Sequence, residues 1–213
     1  MRRGTILALL ALSACIPKVD QPPVARPSKA PIVAADAATR QCHADLAREA
    51  VQFKILADRS FGGGCSAVGA VQLLDMGTPV TNLGAMTCPL ARGFARWTKE
   101  SVQPAAAQWL GSRIVRVESF GTYACRPVNG QNGNKLSEHG RSNAVDIAAF
   151  VTEDGRRVTV LDGWRSDDEQ VRGFLRAVHR AGCRSFPIGL GPDANSFHAD
   201  HFHFDMGAGP YCR

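Results

Sequence analysis

Hydrophobic and polar positions alternate most cleanly close to the end of the chain, in His201-Phe202-His203-Phe204-Asp205. Successive side chains of a strand point to opposite faces. This stretch therefore predicts a strand that buries Phe202 and Phe204 and turns His201, His203 and Asp205 toward a cleft. Further strands are predicted over 68–74, 113–120, 144–150 and 157–161, the last two joined at the hairpin signal Glu153-Asp154-Gly155. Helical spacing takes over elsewhere. Leu46, Ala50, Phe53, Ile55 and Leu56 predict a helix over 42–58. Pro89 opens a helix to about residue 101 with Leu90, Phe94 and Trp97 on one face, and Pro104 opens another that Gly111 stops. Ser166 caps a helix through 181 with Val171, Phe174, Leu175 and Val178 inward, which Gly182 ends; His179, beside that stripe, reads as a core histidine. The elements follow no repeating strand–helix–strand order. The expected fold is α+β, a single domain whose small antiparallel sheet carries a metal site and is flanked by helices.

Composition adds an address. The chain has 213 residues, 45% of them hydrophobic, enough for one domain and a tail. Arg2 and Arg3 precede an apolar run, Ile6 to Leu12, too short for a permanent membrane span. Leu12-Ser13-Ala14-Cys15 resembles the lipobox of bacterial lipoproteins, which implies a signal peptide over 1–14 and lipid on the Cys15 sulfur. Residues 15–40, with prolines at 17, 22, 23, 27 and 31, read as an extended tether, and the domain as 41–213. The expected location is the bacterial periplasm, anchored to a membrane, the outer one. The formal charge of +6 comes without a basic run interleaved with aromatics, so nucleic acid is not an expected partner. Cys42, Cys65, Cys88, Cys125, Cys183 and Cys212 make an even six, without a CxxC pair, in an exported chain. Three disulfides are expected, with fifteen possible pairings left open.

The candidate chemistry lies in two segments. Three of the six histidines fall within 198–203, and Ser137-Glu138-His139 is followed by Asp146. Imidazole and carboxylate suit zinc, and a catalytic zinc keeps one position for water. His139, Asp146 and His203 are the expected ligands of one zinc ion per chain.

Ser137-x-His139-x-x-Ser142-x-Ala144-x-Asp146 resembles the SxHxxGxAxD motif of the lysostaphin, D-Ala-D-Ala carboxypeptidase and Sonic hedgehog superfamily, with Ser142 at the glycine position. His198-x-x-His201-Phe202-His203 is similar to the HxxHFH segment of its murein endopeptidases. The stretch from about Cys42 onward resembles the bacterial extensin-like C-terminal domain family. Met86-Thr87-Cys88, Trp97, Gln103-Pro104-Ala105-Ala106, Tyr123-Ala124-Cys125-Arg126, Gly191-Pro192-Asp193 and the histidine segments carry that likeness.

The superfamily resemblance implies a zinc peptidase of endopeptidase or carboxypeptidase type, acting on peptidoglycan peptides. It implies the same ligands and a base at Asp200, where relatives carry a glutamate. His201 shares the face of His203 and is preferred as the base. His198 would hold substrate or the oxyanion. Arg126 would steady charge or a substrate carboxylate, unless it is a surface arginine beside a disulfide. Asp205 would orient an imidazole, and Glu138 would stay outside the ligand set. The alternative is a non-catalytic zinc-containing lipoprotein that binds or scaffolds the cell wall, which a fourth protein ligand would favour.

Overall fold

The protein is described by a computed structural model over residues 36–213; the leader, Cys15 and nearly all of the tether lie outside the described residues. Helix α1 (Ala37–Arg48) is capped by Asp36, whose carboxylate accepts from Thr39 N–H at 2.7 Å. It ends well short of the predicted 58. Ala50 turns left-handed (φ 57°), and strand β1 (Gln52–Ile55) follows. The apolar spacing through Phe53 and Ile55 that resembles a helix has period two, with β-favouring residues between polar ones. Strands β2 (Arg59–Gly62) and β3 (Cys65–Ala67) form a hairpin whose turn, Gly62-Gly63-Gly64, has positive φ throughout. Strands β4 (Ala70–Asp75) and β5 (Met86–Thr87) join β1 in a three-stranded antiparallel sheet, order β1-β4-β5.

Helices α2 (Cys88–Trp97) and α3 (Gln103–Leu110) are one rod joined by a π-helical turn, Thr98–Val102. Pro104 cannot donate a helical hydrogen bond, and the widened turn accommodates it. Gly111, left-handed at φ 64°, stops the rod as predicted.

The main sheet comprises β6 (Ile114–Gly121), β7 (Ala144–Thr152), β8 (Arg157–Thr159), β9 (Ile188–Leu190), β10 (Phe202–Asp205) and β11 (Tyr211–Cys212). Its order is β11-β9-β10-β7-β6, with β8 also on β7. All pairings are antiparallel except β11 with β9. The short α4 (Val160–Gly163) leads to α5 (Glu169–Ser185), capped by Asp168 rather than Ser166. Asp168 Oδ1 accepts from both Gln170 and Val171 N–H, and Ser166 Oγ accepts from Asp168 N–H just upstream. Gly182 does not end this helix. A Cβ there would stand 2.2 Å from the Phe204 ring, so the glycine lets α5 press onto β10.

Trp97, Phe94, Phe150, Phe174, Phe202 and Phe204 form the buried centre between the rod, α5 and the main sheet. Each such side chain contributes roughly 1.5–3 kcal/mol by leaving water. Trp97 Nε1 donates to the Val178 carbonyl at 3.0 Å, satisfying the polar end of the largest side chain. The cysteines pair as Cys42–Cys88, Cys65–Cys125 and Cys183–Cys212. These link α1 to α2, β3 to the segment before His139, and α5 to β11. The fold is thus α+β with small antiparallel sheets and three disulfides. No helix among the described residues is long and apolar enough to cross a membrane.

Candidate metal centre

The centre grows from the register of two strands. β10 pairs with β7 so that His203 stands opposite Asp146. The period-two alternation holds: Phe202 and Phe204 are fully buried on one face, and His203 and Asp205 project from the other. His139 arrives from a 3-10 turn, Glu138–Arg141, capped by Ser137, whose hydroxyl accepts from His139 N–H at 3.3 Å. Ser142 then takes φ 56° and swings the chain into β7. That left-handed residue occupies the glycine position of the motif, which explains why a glycine suits it. Glu138 braces the turn through Asn143 Nδ2 (2.7 Å) and Arg141 (3.0 Å), and so stands outside the candidate ligand set.

His139 Nε2 lies 3.0 Å from Asp146 Oδ2 and 3.2 Å from His203 Nδ1, and His203 Nδ1 lies 2.9 Å from Asp146 Oδ1. One donor atom from each residue falls within 4.8 Å of the others, and all three residues are buried. His203 Nε2 is 2.7 Å from Asp205 Oδ2, which accepts Gly207 N–H through its other oxygen. Asp205 therefore fixes the ring so that Nδ1 faces Asp146. Burial pushes the Asp146 carboxyl up, but hydrogen bonds from His139 and His203 overcome it and hold it well below the usual carboxylate range. Burial likewise opposes a proton on His203, yet Asp146 and Asp205 prevail and raise it to about 9. Two buried carboxylates around two imidazoles make a place that favours positive charge. The donor set and its spacing fit a zinc ion held by His139, Asp146 and His203.

Asp200 and His201, which the sequence sets up as rival bases, are a pair. His201 Nδ1 lies 2.8 Å from Asp200 Oδ1, while its Nε2 lies 3.6 Å from Asp146 Oδ1. Asp200 thus engages its neighbour's ring instead of reaching the centre itself. His201 precedes β10 yet keeps the face expected of it. His198, on the turn Ser196–His198, sits with its ring 5.6 Å from that of His203. Burial first, then repulsion from the neighbouring histidines, His203 foremost, pushes it down to about 4. Its Nδ1 is 2.8 Å from Asn195 Oδ1, which already accepts from Phe197 N–H, so the neutral ring donates Nδ1–H to Asn195 and leaves Nε2 an acceptor. Sequence reading missed Asn195, although an asparagine just before a short turn is a local signal.

A cavity of about 500 Å³ opens over the centre, with Arg126, Lys135, Phe197, His198, His201 and Tyr211 among its walls. A second, of about 410 Å³, shares Arg126, His139, Asp146, Phe197 and His201 and adds Phe120 and Tyr123. Arg126 thus faces the candidate site as well as neighbouring the Cys65–Cys125 disulfide.

Residues 40–213 match the family model described as Extensin-like protein C-terminus. The chain belongs to the extensin-like C-terminal family. No curated protein and no solved structure matches it. The extensin-like domain so defined begins within α1 and contains the three disulfides and every candidate ligand.

Proposed function

We propose that this extensin-like domain is a zinc-dependent hydrolase of peptidoglycan peptides, held in the periplasm on a membrane, the outer one, by lipid on Cys15. The carrying observation is the convergence of His139 Nε2, the Asp146 carboxylate and His203 Nδ1 at a cavity that His201 also faces. Zinc bound there supplies Lewis acidity and a water whose pKa falls toward roughly 7.

The chain's own groups do the rest. Asp200 accepts a hydrogen bond from His201 Nδ1–H and so leaves Nε2 to take the proton of an attacking water, then pass it to the departing amine. His198, an acceptor at Nε2, takes a substrate N–H and does not serve the oxyanion. Arg126, with no carboxylate among the described residues in ion-pair range, is available for a substrate carboxylate or the developing oxyanion.

One observation favours a second reading. His201 Nε2 is close enough to Asp146 to become a fourth ligand, which would close the coordination sphere and suit a wall-binding lipoprotein with structural zinc. Zinc-loaded protein incubated with purified muropeptides, with products read by mass, tests both. New peptide fragments support the hydrolase. No fragments, together with loss of zinc in His201→Ala, support the binder.

A further inference from the structure

On the far side of the sheet from this centre, one ring nitrogen of His179 and the sulfurs of Cys183 and Cys212 lie within 4.8 Å of one another. We propose that these three residues form a second, reduction-gated site for a thiophilic divalent cation such as zinc. In the oxidised protein the two sulfurs are bonded to each other. Opening that bond would leave two thiols and an imidazole, a donor set soft enough for zinc.

Three observations carry the proposal. His179 is 5% exposed and its Nε2 has no hydrogen-bond partner of good geometry, only the Leu190 backbone lying near the ring, although a buried polar nitrogen left so is unfavourable. His179 and Cys183 sit one turn apart on α5, so they share a face. Glycines flank both donors: a Cβ at Gly189 would stand 2.7 Å from Cys183 Sγ, and one at Gly191 3.1 Å from His179 Nε2.

Cys212 has anchors besides the disulfide. β11 is held by Tyr211 N–H to Pro187 O (2.9 Å), Arg213 N–H to Gly189 O (3.0 Å) and Gly191 N–H to Arg213 O (2.8 Å). Cys212 is exposed, so a small thiol can reach it. Two molecules of a monothiol such as glutathione reduce the bond and leave as their own disulfide. The cation then displaces both thiol protons, which pass to solvent.

The test equilibrates the purified protein in a glutathione redox buffer with and without zinc, then alkylates and reads each cysteine by mass. Zinc should raise the reduced-to-oxidised ratio of the Cys183–Cys212 pair at least tenfold and leave the Cys42–Cys88 and Cys65–Cys125 pairs unchanged. His179→Gln should remove most of that shift. In the reduced protein, cobalt(II) should give a thiolate-to-cobalt charge-transfer band that survives in His203→Ala and is lost in Cys183→Ser/Cys212→Ser. The candidate centre at His203 has no sulfur donor, so failure there and failure here read separately. No shift, an equal shift at all three pairs, or loss of the far-ultraviolet circular dichroism on reducing this one pair would each overturn the proposal.

Discussion

His203 and Asp146 face each other across β10 and β7, with Nδ1 and Oδ1 2.9 Å apart. Because the two strands are antiparallel and in register, one carboxylate and one imidazole meet without any loop having to place them. Only His139 depends on a turn, and the Cys65–Cys125 disulfide ties the segment just before that turn to β3.

Replacing His203 with alanine is expected to abolish stoichiometric zinc while the disulfide-bonded fold persists. Zinc content after dialysis, read beside circular dichroism, checks it. One-to-one zinc in that variant would remove His203 from the ligand set.

Asp205→Asn leaves all three candidate ligands in place but weakens the acceptor that orients His203. Zinc affinity is expected to fall about 10–100-fold, the usual effect of losing such a partner. Competition with a chromophoric chelator measures it, and an unchanged affinity would deny Asp205 that role.

If His201 is the base, His201→Ala should lower muropeptide cleavage about 10²–10⁴-fold with zinc retained. Asp200→Asn should cost less, because the ring keeps its place beside Phe120 (5.6 Å between ring centres) and loses only the fixed tautomer. A larger loss for Asp200→Asn than for His201→Ala would reverse the two roles.

Acid stability should carry the mark of His179. Burial, partly offset by the Leu190 backbone, lowers its pKa from 6.5 to about 4. The folded state thus holds the ring neutral where the unfolded chain takes a proton. Its contribution is full above pH 6.5, falls as the pH drops toward 4, and amounts to roughly 3 kcal/mol across that window. Urea unfolding between pH 7 and 4 should show a steep decline that His179→Leu flattens. An equal slope in both proteins would place the acid sensitivity elsewhere.

Much of the candidate site's local geometry is legible in sequence because it rests on the simplest local rule. Alternation over 201–205 put Phe202 and Phe204 inside and His203 outside, and a hairpin at Gly155 shaped β7 and β8 as expected. What was not legible depended on packing between distant segments. Gly182 reads as a stop until Phe204 is seen pressed against it, and the helix expected through 58 fails because Phe53 belongs to a strand paired with β4. The disulfide pairing is likewise a property of the assembled chain. The Asp200–His201 pair escaped because neighbours along a regular strand point apart, and these two precede β10.

The contact between Gly182 and Phe204 has one more implication. At Gly182 the ring behind the strand bearing His203 meets helix main chain, so no larger residue fits there without displacing Phe204. Loop residues 126–136 are held instead by their own hydrogen bonds, such as Val128 N–H to the Lys135 carbonyl at 2.9 Å. Substitutions in that loop, which lines the cavity, can therefore reshape it while the floor beneath stays put.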